Sequence, residues 1–216
     1  MKRQGIVLLL VVILKSSFVF SQIKEGKVDF RVSYPNSELP KQSLSMFPDH
    51  TVVWFKNEQS RFDMKMAMGM NMSTIIDNKN MVILMDILGK KTAIKKQMAD
   101  LAKNANSNSN KSKVTLTSEV KDIAGYHCKK AIVKTEDGEL EIWFTTEIIG
   151  NNSWNESFKG INGFPMEFNM KTGQMEMHLV AEKVNVEKVE DTVFIVPTEY
   201  VFLSDAETKA MFDGFK

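Results

Sequence analysis

The stretch GYHCKKAIVKTEDGELEIWFTTEI (residues 125–148) decides the fold, because it contains two strands and the turn between them. Apolar and polar residues alternate on both sides of Asp137-Gly138, a dipeptide whose backbone conformation matches the twist of paired strands. We therefore predict strands over 129–134 and 139–145, joined by a tight turn. A hairpin of this kind indicates an antiparallel sheet.

The same period-two alternation extends along most of the chain. It predicts further strands over 27–34, 51–57, 60–68, 72–77, 81–85, 113–120, 164–170, 174–186 and 192–196. Short strands joined by short turns are typical of an antiparallel meander. Because an open sheet of about ten strands tends to curl or close on itself, we predict a mainly β fold, a curved antiparallel sheet or incomplete β-barrel.

Two segments depart from this alternation. Residues 95–103 carry Met98, Leu101 and Ala102 at helical spacing, which predicts an amphipathic helix inserted into the sheet. Residues 104–113 (NANSNSNKSK) are too poor in apolar side chains to fold, which predicts a flexible polar linker. The helix and linker form either a lid over the concave face or a plain crossover with a long loop.

The chain also ends in a predicted helix, over residues 205–213. Ser204 is a candidate N-cap, and Glu207 stands three residues further on, the spacing of a capping box.

The N-terminus has the layout of a secretory signal peptide. Lys2 and Arg3 precede an apolar run over 6–14, and small residues precede Gln22. The run is too short to span a membrane, which takes about 20 apolar residues. We therefore expect residues 1–21 to be cleaved near Ser21-Gln22, and residues 22–216 to form one exported domain in the periplasm or cell envelope. An uncleaved anchor is the alternative.

Charge and cysteine content exclude several classes of binding partner and a disulfide-stabilised fold. The chain has 28 basic and 27 acidic residues, and removing Lys2, Arg3 and Lys15 leaves 25 and 27. A near-neutral domain has no electrostatic reason to bind nucleic acid or an anionic membrane surface. Cys128 is the only cysteine, so no internal disulfide can form. We predict a buried, small apolar role for Cys128, with a reactive thiol as the alternative.

No catalytic motif is present. His50, His127 and His178 are scattered, and H-E-x-x-H, G-x-S-x-G, phosphate-binding loops and dinucleotide fingerprints are missing. We expect a protein that is not an enzyme and needs no cofactor. An enzyme assembled from residues distant in sequence is the alternative.

The stretch RFDMKMAMGMNM (61–72) is the strongest candidate for a functional surface, since it places methionine at every second position from 64 to 72. In one strand, Phe62, Met64, Met66 and Met68 share a face. Met72 continues that face if the following turn has three residues, and leaves it if the turn has two. The predicted cavity lining is Phe62, Met64, Met66, Met68, Met72, Met98 and Leu101.

Three interpretations of these methionines stay open. Dense methionine suits a cavity that adapts to an apolar ligand, because the unbranched thioether is soft and flexible. The residues can equally pack an ordinary core. Thioethers are also ligands for Cu(I). The candidate copper ligands are Met64, Met66, Met68, Met175 and Met177.

Four motifs carry a family resemblance: GYHCKKA (125–131), WFT (143–145), GINGFPMEF (160–168) and FIVPTEY (194–200). Their order resembles a family of exported, DUF4412-like proteins of unknown function from Bacteroidetes-type bacteria. That family is similar at fold level to the LolA/LolB-like lipoprotein carriers. The resemblance implies an incomplete barrel, closed by helices, with an apolar cavity for acyl chains. It implies no catalytic or ligand-binding residue.

From the residues and the resemblance together, we predict a non-enzymatic exported binding protein for an apolar or lipid-like ligand. One alternative is a methionine-rich Cu(I)-binding envelope protein. The other is a structural or interaction domain whose concave face is filled by its own core.

Overall fold

The computed structural model describes residues 22–101, 103, 113–135, 138–151, 158, 160–172 and 175–213. The predicted signal peptide lies outside these residues, as does the predicted linker except for Lys113, which begins a strand. The described strands are β1 (Glu25–Ser33), β2 (His50–Lys56), β3 (Gln59–Lys65), β4 (Met70–Ile76), β5 (Asn80–Ile87), β6 (Lys90–Gln97), β7 (Lys113–Ile123), β8 (Tyr126–Thr135), β9 (Gly138–Thr145), β10 (Phe164–Thr172), β11 (Met175–Asn185) and β12 (Val201–Phe202). The helices are α1 (Lys41–Leu44), α2 (residues 98–101 and 103) and α3 (Asp205–Asp213).

All twelve of these strands belong to one sheet, in the order β12-β6-β5-β4-β3-β2-β1-β11-β10-β9-β8-β7. Neighbouring strands pair antiparallel except β12, which runs parallel to β6. β8 and β9 form the predicted hairpin, with Thr135 opposite Gly138. The prediction of a mainly β, largely antiparallel fold is confirmed.

The sheet curves, and aromatic contacts identify its concave face. Phe55 on β2 and Phe164 on β10 have ring centroids 5.5 Å apart although β1 and β11 lie between their strands. Three strand spacings on a flat sheet would separate them by about 14 Å. Phe30 and Phe168, two strands apart, are likewise in contact at 5.9 Å. The sheet therefore bends around the side of these four rings, which we call the inner face.

The main core lies on the inner face around β1, β2 and the strands from β8 to β11. Buried aliphatic and aromatic side chains from these strands form one cluster, in which Val28, Phe55 and Val133 are fully buried. Because the two halves of the curved sheet close onto each other here, this part of the inner face is filled by the protein itself.

A second, smaller core lies on the opposite, outer face of β2 to β6. Residues 186–200, which follow β11, cross this face, and we call them the strap. Val189 and Phe194 of the strap are buried against Ile75, Leu84 and Ala93. Hydrogen bonds fix the strap as well. Lys56 Nζ donates to the carbonyl oxygen of Val189 at 2.7 Å, and Arg61 Nη1 donates to that of Val193 at 2.9 Å.

The structure corrects the prediction of a helix over 95–103. Residues 95–97 belong to strand β6, and the helix begins only at residue 98. The reason is a two-residue turn at Leu88-Gly89, where both residues have positive φ (53° and 86°). This turn pairs Ile87 with Lys90 and buries Ala93 and Ile94 against the sheet.

At the C-terminus, one prediction is wrong and one is confirmed. The strand predicted over 192–196 is a 3₁₀ turn, Asp191–Phe194, because this segment belongs to the strap and pairs with no strand in the part of the chain that the structure describes. The capping box of α3 is present. Ser204 N donates to Glu207 Oε2 at 2.8 Å, and Glu207 N donates to Ser204 Oγ at 3.3 Å.

Candidate functional site on the inner face of β3 to β6

The inner face of β3 to β6 differs from that of β1 and β2 because most of its apolar side chains are only half-buried. Ile76 on β4 and Ile94 on β6 also face inward but are buried. Val28, Phe30, Val53 and Phe55 on β1 and β2 are at most 2% exposed. Across β3 to β5, the inner-facing side chains of intermediate exposure are Phe62, Met64, Met70, Met72, Met81, Ile83 and Met85. We call this half-buried surface the apolar wall.

Strand register arranges the apolar wall in rows across the sheet. Met64 on β3 lies opposite Met72 on β4, which lies opposite Met85 on β5. These three residues form what we call the methionine row. The neighbouring row contains Phe62, Thr74 and Ile83. Directly opposed residues share a face with Cβ atoms about 5 Å apart, so the three thioethers of the methionine row are immediate neighbours.

Two of the predicted lining residues lie elsewhere. β3 ends at Lys65, and the chain then turns over residues 66–69. Met66 N donates to the carbonyl oxygen of Met70 at 2.8 Å, and Met68, with φ of 63°, is 72% exposed. The predicted strand face therefore contains Phe62 and Met64 but not Met66 or Met68. Met72 is on that face, because the turn places it opposite Met64.

The other predicted residues are separated from the methionine row. Met98 begins α2, and its backbone N donates to the carbonyl oxygen of Lys79 at 2.8 Å, beside the turn between β4 and β5. This is the opposite end of the strands from Met72, and Leu101 lies further along α2. Met175 and Met177 are on β11, which β1 and β2 separate from β3. Strand pairing therefore makes no predicted copper ligand on β3 a direct neighbour of one on β11.

Sequence reasoning missed Met85 and Ile83. Both lie on β5, whose sequence NMVILMDI is apolar on both faces. Val82 and Leu84 pack against the strap while Ile83 and Met85 face inward. Because residues 81–85 (MVILM) are all apolar, they carry no alternation, and the inner face of β5 became clear only from its register with β4.

The end of the apolar wall near the β4–β5 turn is closed by hydrogen bonds. Ser60 Oγ donates to the carbonyl oxygen of Asn151 at 3.2 Å, and Asn151 Nδ2 donates to that of Glu58 at 2.8 Å. Ser60, Ile76 and Asn151 are all buried. The methionine row lies toward the other end, where Ala67 N donates to the carbonyl oxygen of Met46 at 3.0 Å.

The histidines lie away from the apolar wall, whereas Lys96 on β6 pairs with Met81 at the edge of that wall. His50 Nδ1 is 3.0 Å from Asp49, and His127 Nδ1 is 3.1 Å from Asp122, in both cases at the exposed surface. The hydrogen bond to Asp49 raises the pKa of His50. Within the described ranges, no three His, Cys, Asp or Glu side chains are grouped so that they could hold a metal ion. The apolar wall thus offers apolar contacts and thioether sulfur rather than acid–base chemistry.

These features define a class: a mainly β protein built on one open, curved sheet, with a half-buried apolar surface on the concave side. Within this class, the chain belongs to the family described as "Domain of unknown function (DUF4412)", whose model matches residues 41–158. The family resemblance found in the sequence is therefore confirmed. Two of the four motifs, GINGFPMEF and FIVPTEY, lie beyond the matched region.

The two PNGF-II structures support the fold. The chain is similar to PNGF-II in two crystal forms, with TM-scores of 0.53 and 0.52 and sequence identities of 16% and 14%. Each match covers 87% of this chain, which spans only about a third of the PNGF-II chains (32% and 33%). A β-barrel-like protein of the DUF1849 family from Brucella abortus matches with a TM-score of 0.35 and 10% identity, over 78% of this chain and 100% of that one.

Comparison with curated protein sequences gave no significant match. Among the residues that the structure describes, no helix is long and apolar enough to cross a membrane.

Proposed function

We propose that this protein is a non-enzymatic, exported binding protein that takes an apolar or lipid-like ligand on the apolar wall. The observation that carries the proposal is the half-burial of Phe62, Met64, Met72 and Met85 on a concave surface. Inner-facing residues of a filled core would be buried, as Phe30 and Phe55 are in the same sheet. Concave, mostly apolar surfaces are the usual form of small-molecule sites.

The outer core supports this proposal by giving β3 to β6 a stability that does not depend on their inner face. The strap buries Ile75, Leu84 and Ala93 from the outside. These strands therefore have no need to fill their concave side in order to fold. A ligand that covers the apolar wall would add burial beside Phe62, which already packs against the main core.

The chemistry of the apolar wall favours a ligand of variable shape. Methionine has an unbranched side chain that can repack around different guests. Burial of an acyl chain contributes about 0.8 kcal/mol per methylene, so affinity should rise with chain length until the surface is covered. The row of opposed thioethers provides no hydrogen-bond donor, which also fits an acyl chain better than a polar ligand.

The test is titration of the mature protein with fluorescent fatty acids of increasing length. We expect tighter binding with each added methylene, and a steep loss of binding in Met72→Asp, which places a charge in the centre of the apolar wall. Met68→Asp is the matched control, because it makes the same change four residues away at an exposed position of the turn. It should bind the probes like the unmutated protein.

Two outcomes would overturn the proposal. One is an unmutated protein that binds no acyl probe, which would favour a structural or interaction domain. The other is equal probe binding by Met72→Asp and Met68→Asp while both keep their melting transitions. If Met72→Asp fails to fold, Met72→Ser serves as the milder variant with the same expected loss.

Export and the lack of catalysis are parts of the same proposal. The layout of residues 1–21 supports export, and N-terminal sequencing of the protein from an envelope fraction should find Gln22, or a residue within about two positions of it, as the first residue. An intact Met1 would favour an anchor. The separation of the histidines from one another supports a binding role without catalysis. Turnover of a bound acyl ester by the purified protein would contradict it.

A further inference from the structure

The methionine row carries three thioether sulfurs, which can bind a soft metal ion and which acyl binding does not use. We propose that Met64, Met72 and Met85 form a binding site for a single soft monovalent metal ion, Cu(I) or Ag(I). This set differs from the ligands that the sequence suggests, since only Met64 is common to both.

The register brings the three sulfurs within reach of one ion. Met72 stands between Met64 and Met85, each directly opposite it across one strand spacing. The two outer residues are therefore about 10 Å apart at Cβ. Because the row lies on the concave face, the side chains converge toward their tips. Each outer methionine has three rotatable bonds with which to lean toward the ion above Met72.

The donor set selects for soft ions. Thioether sulfur favours Cu(I), whereas carboxylate and imidazole favour Zn(II), Cu(II) and harder metals. The row continues on both sides into threonines, Thr51 next to Met64 and Thr92 next to Met85. The Thr51 hydroxyl already donates to the carbonyl oxygen of Asp63 at 2.9 Å. No His, Asp or Glu stands in this row from Thr51 to Thr92, so a hard ion would find no anionic ligand there.

The surroundings allow an ion to enter and be held. All three methionines have intermediate exposure, so none of them is sealed in the core. On one side along the strands, the next row contains Phe62, Thr74 and Ile83, in which two apolar side chains flank one hydroxyl. A monovalent ion suits such a site better than a divalent one, because the neutral thioethers leave the ion's charge uncompensated and that cost grows with the charge.

The test is an anaerobic titration of the purified mature protein with Cu(I) in competition with a chromogenic Cu(I) chelator, repeated with Ag(I) as a redox-inert probe. We expect the unmutated protein to withdraw a single ion from the chelator. The triple variant Met64→Leu/Met72→Leu/Met85→Leu should lose this binding. Zn(II) in excess should not displace the bound ion.

The matched control is Met46→Leu/Met66→Leu/Met68→Leu, which removes the same number of thioethers from positions outside the apolar wall and leaves the row intact. It should bind Cu(I) like the unmutated protein. Met-to-Leu exchanges usually cost less than about 1.5 kcal/mol each. If the triple row variant does not fold, the single variants Met64→Leu and Met85→Leu should each still weaken Cu(I) binding.

The result is independent of the proposed acyl function, because leucine keeps the apolar wall apolar. The row variant should bind fatty-acid probes much like the unmutated protein while it loses Cu(I). The metal site would be overturned if the unmutated protein takes no Cu(I), or if the row variant and the control bind it equally. An unmutated protein that takes up Cu(I) but binds no acyl probe would instead count against the acyl function alone.

Discussion

At the scale of single residues, the sequence predicted faces correctly only where the backbone stays extended. Phe62, Met64 and Met72 share the inner face, as alternation predicts when the turn restores the register. Met66 and Met68 do not, because the strand ends at Lys65 and Met68 adopts a positive φ of 63°. A methionine in this conformation is uncommon. A run of methionines at period two therefore does not reveal from sequence where the strand stops.

Burial lowers the reactivity of the Cys128 thiol. The thiol is fully buried, and desolvation by burial, the largest cause, raises its pKa from 9.0 to about 12. The thiol should therefore react with a disulfide reagent in the unfolded protein but not in the folded one. Because Cys128 is the only cysteine, the reaction rate reports its exposure directly. Rapid, complete labelling of folded protein at neutral pH would contradict this prediction.

The same pKa shift gives a dependence of stability on pH. The thiol is protonated in both states below pH 9, so its contribution is fully present there. Between pH 9 and about 12 the unfolded state loses its proton while the folded state keeps it, so the free energy of unfolding should fall. Cys128→Ser would ionise in neither state over this range, and comparing its denaturation curves with those of the unmutated protein isolates the effect.

At the scale of elements, short turns determined which strands the sequence could predict. The Asp137-Gly138 dipeptide predicts the β8–β9 hairpin, whereas Leu88-Gly89 gives no sequence signal for the β5–β6 hairpin. Leucine is an unusual first residue for a turn that requires positive φ at both positions. When that turn is not recognised in the sequence, the lysines at the end of β6 have the spacing of an amphipathic helix. The inserted helix was therefore predicted three residues too early, over the end of β6.

This turn provides a stabilising substitution. Leu88 is 79% exposed, so replacing it removes little packing, and asparagine tolerates positive φ better than leucine does. Leu88→Asn should raise the free energy of unfolding by about 0.5–1 kcal/mol, measured by chemical denaturation. Gly89→Ala, at φ of 86°, should lower it. A destabilising Leu88→Asn would mean that the leucine makes a contact that its exposure does not suggest.

At the scale of the whole molecule, the open sheet holds two cores on opposite faces. The strands from β8 through β2 close around the inner face, and β2 to β6 are covered from outside by the strap. The sequence predicted the curved sheet, since alternation is a local signal. It could not predict the strap, because a segment with no strand partner is placed by contacts with residues far away in the chain, such as Val189 with Lys56.

Because the two cores lie on opposite faces, we predict that packing of the strap on the outer face stabilises the strands that carry the apolar wall on the inner face. Phe194→Ala removes the buried ring of the strap and should cost about 3 kcal/mol. Hydrogen exchange should then increase most in β4, β5 and β6, and acyl-probe binding should weaken although Phe194 does not face the apolar wall. Ile195→Ala changes the next residue, which is 59% exposed, and should alter neither. If Phe194→Ala instead loosened all strands equally, the outer core would not stabilise β4 to β6 separately, and the apolar wall would depend on the same core as the rest of the sheet.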